Sequence, residues 1–154
     1  MPLITKRMFD KVLKSPVSIK MTTEIDDEGQ KDINVIEQKG QLYEKDDTTV
    51  LTFSENNEHG ERTDSLITIY SDRVSVKRSG AVSMLQKFQN DKVTETSYRH
   101  QFGTIQMTTE TDEIIYTPPP LDLQEGRLFI RYSTSLNGDK GRRHRLTITV
   151  KKEN

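Results

Sequence analysis

Short runs of alternating apolar and polar residues recur roughly every 8–14 residues along this chain, with turn-forming residues between them. In the clearest run, Leu128, Ile130 and Tyr132 alternate with polar or outward-facing neighbours, so they share one face of a strand. No long helical pattern intervenes. The pattern predicts an all-β antiparallel fold. Hairpin-length connections favour an up-and-down barrel of about eight to ten strands, because closure removes the sheet edges.

A chain of 154 residues suits one domain, and the strand pattern places the barrel at residues 16–152. Residues 1–15 are predicted to be an N-terminal extension. Within it, Ile4, Met8 and Val12 stand four apart, as on one face of a short amphipathic helix. The helix should end before Pro16, since the residue before a proline is driven out of the α region. A partner-binding helix, a lid, a frayed terminus and a short helix that plugs one end of the barrel all fit this segment.

Three local features predict departures from regular strands. Gly40 lies inside the second run and indicates a bulge or a bend. In the run 93–100, Val93 and Tyr98 imply opposite inward faces, which predicts either a bulge or an apolar residue on the outside. Pro118–Pro120 cannot lie inside a hydrogen-bonded ladder, so we expect a rigid strap across a barrel end.

Composition limits the class of protein. The chain has no cysteine, which excludes disulfides, a thiolate nucleophile and Cys-ligated zinc. Its net charge is −1, too small to require a nucleic-acid partner, and no apolar run is long enough for a membrane span. Because the first residues are too charged for a signal-peptide core, we expect a cytoplasmic protein with no membrane partner.

A search for catalytic motifs finds none. The chain lacks a G-x-S-x-G elbow, a P-loop, a G-x-G-x-x-G turn and an H-E-x-x-H pair. Its histidines, His59, His100 and His144, have no metal-ligand spacing. The sequence therefore predicts a non-enzymatic protein without metal or cofactor. An acid–base pair assembled only by the fold stays open at this level.

The sharpest irregularity in the pattern is an arginine on an apolar face. Val74, Val76 and Arg78 alternate with polar residues, so period-2 geometry puts a guanidinium beside two core valines. A guanidinium cannot lose its proton and needs acceptors for its five donors. A carboxylate or phosphate of a small ligand could meet it inside the barrel, or an inward Glu, Tyr or strand-end carbonyl could pair with it. Alternatively, Arg78 simply lies at the open end of the barrel.

A second polar group comes from the last hairpin. Alternation places Arg142 and His144 on the inward side near a barrel mouth, and Arg143 and Arg145 on the outside. Such a basic run can hold phosphates, but it lacks the interleaved aromatic residues usual in RNA-binding barrels. Tyr132 is inward as well. Its hydroxyl either has a partner in the core or contacts a ligand.

We therefore expect a barrel that binds a small, partly apolar and anionic ligand, since small barrels hold either packed side chains or one such molecule. The alternatives are an interaction module that uses the barrel exterior, and an RNA-associated protein that uses residues 142–145. The pattern does not indicate an oligomeric state. The residues predicted to contact the ligand are Arg78, Tyr132, Arg142 and His144 as polar groups, with Val76, Met84, Met107 and Ile130 as apolar walls.

A further set of residues carries a resemblance to a known family, from Pro16 to about Lys152. The set is Arg78-Ser79-Gly80, Phe88, Tyr98, Phe102-Gly103, Thr109, Gly126-Arg127-Leu128, Tyr132 and Leu146-Thr147-Ile148. In their order and spacing these residues resemble the YwiB-like family of small, uncharacterised bacterial proteins. The resemblance implies a calycin-like (lipocalin-like) β-barrel and implies no reaction.

Overall fold

The computed structural model describes residues 12–120, 124–136 and 138–153. Ten β-strands account for most of this part of the chain. They are β1 (Leu13–Asp27), β2 (Gln30–Lys45), β3 (Thr48–Asn56), β4 (Arg62–Ile69), β5 (Val74–Gly80), β6 (Ser83–Phe88), β7 (Val93–His100), β8 (Gly103–Thr117), β9 (Glu125–Leu136) and β10 (Arg142–Lys152).

The strands form one closed antiparallel barrel. Each strand pairs with the next along the chain, and β1 pairs with β10 to complete the circle. Val17 lies opposite Lys152, and the pairing continues to Asp26 opposite Arg143. The structure thus confirms the predicted all-β up-and-down barrel and fixes the number of strands at ten. Within the described ranges there is no helix, and hence none long and apolar enough to cross a bilayer.

The N-terminal boundary differs from the prediction. Residues 1–11 of the predicted helical extension lie outside the described ranges. Residues 13–15, which were predicted to belong to the extension, are part of strand β1. Pro16 is tolerated inside β1 because β1 pairs with β10 only from Val17 onward, so the missing N–H of Pro16 faces no partner strand. The Pro16 carbonyl instead accepts a hydrogen bond from the Glu153 backbone N–H at 2.9 Å.

Alternation along the strands buries every second side chain in one apolar core. Phe88, Leu51, Ile67, Leu128 and Ile148 are almost completely buried. Burial of a Leu, Ile or Phe side chain contributes about 1.5–3 kcal/mol relative to exposure. This contribution ties the inward positions to one parity in each regular strand, since a slip of one residue would turn the whole apolar set outward.

One strand changes parity along its length. The pairing of β8 with β9 shifts register between Thr111 and Glu113, which is a β-bulge. Thr111 is buried before the bulge, and Ile114 and Tyr116 pack against the core after it. The extra residue lets one long strand present inward side chains at both ends of the barrel.

The conflicting pattern in residues 93–100 arises from an apolar residue on the outside of the barrel, which was one of its two predicted explanations. Strand β7 pairs with β8 in an unbroken register, so it contains no bulge. Thr96 is buried and Tyr98 is half-buried, whereas Val93 faces outward and is 61% exposed. Val93 is therefore an apolar residue on the outer surface.

The seam between β6 and β7 is short. The two strands pair at only two positions. Beyond these, side chains connect the wall. Gln86 Nε2 donates to Thr109 Oγ1 at 2.9 Å, and Thr94 Oγ1 donates to the Lys87 carbonyl at 2.7 Å. Side-chain hydrogen bonds thus take over from the backbone ladder here.

The wall also parts between β2 and β3. Strand β2 pairs with β3 only from Gly40 to Lys45, and residues 31–39 pair with β1 alone. We call this opening the β2–β3 gap. Gly40 stands where the gap begins and keeps an unbroken register with Val17 and Phe53, so it marks no bulge. Instead it allows a close approach, because a Cβ at Gly40 would lie 2.2 Å from the Thr52 carbonyl oxygen.

Replacement of Gly40 by alanine should therefore lower the free energy of unfolding. A Cβ that close to a backbone oxygen forces the two strands apart, and such overpacking typically costs about 1–3 kcal/mol. Urea denaturation followed by circular dichroism measures the loss. The matched control is Gly141→Ala, where the nearest atom is 3.4 Å from the new Cβ and a change within about 0.5 kcal/mol is expected. Equal stability of the two variants would contradict this account of Gly40.

Candidate functional site

The two ends of the barrel differ in chemistry. At the end with the β2–β3 and β4–β5 turns, which we call the closed end, Lys152 Nζ lies 3.0 Å from Glu44 Oε1 across β1. Both side chains are largely buried. Tyr116 lies near this pair, and burial, with a smaller effect of the Glu44 charge, raises the pKa of its phenol. A paired charge thus lies over the apolar core at this end of the barrel.

The opposite end, with the β1–β2 and β5–β6 turns, is the open end. Between it and the core lies a cavity of about 340 Å³, which we call the lumen cavity. Its size is at the lower end of the range for small-molecule sites. The lining consists of Met21, Thr23, Asn34, Ile36, Phe53, Glu55, Ser65, Ile67, Val76, Arg78, Gln86, Phe88, Tyr132 and Leu146.

Arg78 is the one cation in this lining. Strand β5 holds it on the inner face between its cross-strand neighbours Ser65 and Met84, as the alternation predicts. Its side chain is half-buried. Within the described ranges, no hydrogen bond or ion pair reaches the guanidinium of Arg78. The arginines that do form ion pairs lie elsewhere in the barrel. A guanidinium in this position is chemically able to bind a carboxylate or phosphate through two parallel hydrogen bonds.

Three further polar side chains border the cavity. Gln86 is fixed, since its amide donates to Thr109. Asn34 projects from β2 at the β2–β3 gap, so the cavity reaches the opening in the wall. Glu55, near the end of β3, is the single carboxylate of the lining. It forms no ion pair within 4 Å of any described residue, and it is the carboxylate of the lining that could compete with a ligand for Arg78.

Tyr132 and His144 form a stacked pair on the inner wall. Their rings lie parallel at 4.6 Å between centroids, and the edge of Phe88 meets Tyr132 at 4.8 Å. His144 Nε2 and Thr134 Oγ1 share a hydrogen bond of 2.7 Å. Burial raises the pKa of Tyr132 to about 12, so its hydroxyl stays protonated in the lumen cavity. The Tyr132 side of the site is thus neutral, and Arg78 carries the positive charge of the cavity lining.

The structure brings together some of the sequence-predicted site residues. Arg78, Tyr132 and Val76 line the lumen cavity, and His144 supports Tyr132 by stacking. Ile130 is completely buried in the core. Two methionines share the inward parity but do not line the cavity. They are Met84 and Met107, both half-buried.

Arg142 lies apart from the cavity at the open end. Its guanidinium bonds to Asp27 at 3.1 Å and lies 3.8 Å from Asp139. These two carboxylates come from the β1–β2 and β9–β10 turns. Arg142 therefore joins two turns of the open end, and its charge is already paired.

Sequence reasoning missed other residues of the site. Glu55 continues the inward parity of Leu51 and Phe53, but it begins the polar segment 55–61, which has the composition of a turn. Gln86 shares the inward face of Phe88, a signal that was visible in the alternation. Asn34 gave no signal, because its place beside the cavity depends on where β3 leaves β2.

A larger concavity of about 800 Å³ is lined mainly by outward residues, among them Arg143 and Arg145, and also borders the inward Tyr132 and His144. We call it the outer concavity. Its charges nearly cancel, with five carboxylates against four cations. They are Glu24, Asp26, Asp32, Glu110 and Asp112, with Lys31, Arg131, Arg143 and Arg145. In the barrel register, Arg145 faces Glu24 and Arg143 faces Asp26. Within the described ranges, no three or more His, Asp or Glu side chains are grouped in a way that could hold one metal ion.

His144 should make the stability of the protein depend on pH. Burial, and then the nearby Arg142 charge, lower the pKa of His144 from 6.5 to about 4. The unfolded chain therefore binds more protons between these values, and stability present above about pH 6.5 is lost as the pH falls to about 4. Because the ring is partly exposed, we expect a loss of about 1–2 kcal/mol.

Urea denaturation at a series of pH values measures this effect. The variant His144→Gln should show a flatter dependence between pH 6.5 and 4, and the control His59→Gln, at an exposed turn, should keep the original slope. An unchanged slope in His144→Gln would show that the imidazole is not responsible.

Comparison with known proteins agrees with this architecture. Residues 19–148 match the model of a family described as a domain of unknown function (DUF1934). The uncharacterized beta-barrel protein YwiB of Bacillus subtilis (strain 168) is 27% identical over 136 residues, which cover 88% of this chain and 93% of that protein.

The crystal structure of the ywiB protein from Bacillus subtilis superimposes with a TM-score of 0.79. The alignment covers 92% of this chain and 94% of that chain, at 27% identity. The resemblance seen in the sequence is thereby confirmed. Since the family model spans most of the barrel, from β1 to β10, the chain belongs to the DUF1934 family of YwiB-like β-barrel proteins.

Proposed function

We propose that this barrel is a non-enzymatic binding protein that holds one small, partly apolar anion in the lumen cavity. The observation that carries the proposal is the half-buried Arg78, which faces the cavity and has no acceptor within the described ranges. A guanidinium keeps its charge in any protein environment and binds a carboxylate or phosphate with two parallel hydrogen bonds. The anionic group of the ligand would lie there.

The cavity walls on the core side of Arg78 suit the apolar part of such a ligand. Phe53, Ile67, Val76 and Phe88 provide apolar surface, and Leu146 completes it across the cavity. Pockets for small molecules are usually built in this way, with apolar walls and a few placed polar groups. The calycin-like mode of binding, with the ligand inside the lumen, is thus the form of the proposal that we favour.

The Lys152–Glu44 end favours a site that is reached from the other end of the barrel. The Lys152–Glu44 pair and the core occupy the closed end, so exchange with solvent would take place at the open end and through the β2–β3 gap. In this arrangement the cation lies near the opening and the apolar walls lie deeper. A ligand would enter with its apolar part first and keep its anionic group at Arg78.

The outer concavity gives less support to an RNA-associated role. Nucleic acid is attracted by an excess of positive charge, and affinity of that kind depends on releasing counterions from phosphates. Arg143 and Arg145 each face a carboxylate across the sheet. The neighbouring carboxylates therefore reduce the attraction of the basic run for a phosphate backbone.

The variant Arg78→Met tests the proposal with 8-anilinonaphthalene-1-sulfonate, an apolar anion whose fluorescence rises on binding. Methionine keeps the apolar stem and removes the charge. Loss of a charged hydrogen-bonding partner should weaken affinity about 10- to 100-fold. Fluorescence titration measures the dissociation constant, and Arg127→Met, on the outer face of β9, should leave it unchanged. Equal affinity of the wild type and Arg78→Met would overturn the assigned role.

The variant Glu55→Gln separates the ligand account from an internal ion pair. If the cavity receives an anion, removal of the only competing carboxylate should leave stability unchanged and strengthen probe binding. If Glu55 instead pairs with Arg78 in solution, the variant should lose stability, because a cation is left without its partner. Native mass spectrometry of the protein purified from cells then shows directly whether a small molecule accompanies it.

A further inference from the structure

Part of strand β2 has no neighbour on one side. Residues 31–39 pair with β1, but β3 pairs with β2 only from Gly40 onward. Within the described ranges no other backbone hydrogen bond reaches this segment. Strand edges of this length act as templates for another strand unless they are covered. We call residues 31–39 the free edge.

The turn that precedes the free edge fixes the direction of its hydrogen-bonding groups. Glu28 and Gly29 form a two-residue turn with φ of 53° and 89°, as in the type I′ turns of hairpins. The closing pair, Asp27 and Gln30, is then hydrogen-bonded, and such pairs alternate along the hairpin. The odd residues of β2 consequently direct their N–H and C=O groups away from β1, toward the gap.

The outer face of the free edge is apolar at its centre. Ile33 is 65% exposed and Val35 is 50% exposed, two residues apart on the same face. Lys31 and Glu37 follow on either side with the same parity and opposite charges. The order is therefore a cation, two apolar residues and an anion.

We propose that the free edge pairs with the free edge of a second copy of this chain, antiparallel and centred on Asn34. In this register Ile33 of one copy lies opposite Val35 of the other, and Lys31 lies opposite Glu37. Two-fold symmetry makes each of these pairs twice. All four odd residues direct backbone groups across the interface, which allows up to about eight hydrogen bonds.

The charges select this register. Charged residues on an edge usually prevent strand pairing, and here a register centred on Val35 would place Lys31 opposite Lys39. Centring on Asn34 instead brings opposite charges together at both ends of the contact. Complementary charges and an exposed apolar centre are the pattern that a self-complementary strand requires.

The dimer also changes the wall of the lumen cavity. Asn34 faces inward and lines that cavity at the β2–β3 gap. In the proposed register, Asn34 of the second copy lies opposite it on the same side of the joined sheet. The second strand therefore extends the barrel wall beside the opening.

Sedimentation-velocity ultracentrifugation tests the proposal with the full chain at concentrations from about 1 to 200 µM, since a contact of this size is weak. The wild type should shift from monomer to dimer over this range. Lys31→Glu and Glu37→Lys each create two like-charge pairs and should weaken dimerisation about tenfold. The double variant Lys31→Glu/Glu37→Lys restores both pairs with exchanged signs and should dimerise nearly as well as the wild type.

The control Lys77→Glu makes the same change in net charge as Lys31→Glu. It lies on β5, which has a partner strand on both sides, so it should leave dimerisation unchanged. A wild type that stays monomeric would overturn the proposal. So would a dimer insensitive to the two single variants, or a double variant that fails to recover. A monomer that binds an extended peptide at the same edge would also reject the second copy as the occupant.

Discussion

The pairing of β1 with β10 is the constraint on which the rest of this structure depends. It joins residues 17–26 to residues 143–152 and so turns a row of hairpins into a closed wall. Closure gives the inward side chains a common interior, whereas an open sheet would leave that apolar face in contact with water. The Lys152–Glu44 pair is a product of the same closure, since it links β10 to β2 across β1.

The faces of the strands could be predicted from the sequence because period-2 alternation is a local property of the chain. Arg78 faces the lumen, Leu128 and Ile148 face the core, and Tyr132 faces the cavity, as their parity indicates. The alternation shows which side of the barrel wall a residue faces, but not its position along the barrel axis. For this reason Ile130 lies in the packed core, and Met84 and Met107 lie away from the cavity lining.

The openings of the wall could not be predicted in this way. How far two strands remain paired depends on their relative tilt and on side chains from other strands, which no single run of residues records. The cavity is bordered by Asn34 and Glu55 because β3 leaves β2 after Gly40. A similar non-local cause explains the β8 bulge, since its extra residue becomes visible only against the register of β9.

The short seam between β6 and β7 has a mechanical consequence. A backbone ladder resists separation cooperatively, whereas the Gln86–Thr109 and Thr94–Lys87 bonds are single contacts that can break one at a time. Separation along this line therefore meets less backbone resistance than separation along the longer ladders. Because Gln86 and Phe88 belong to the lining of the cavity, small displacements at the seam change its volume without disturbing the joint between β1 and β10. The wall of the interior is therefore easier to displace at β6 and β7 than at β1 and β10.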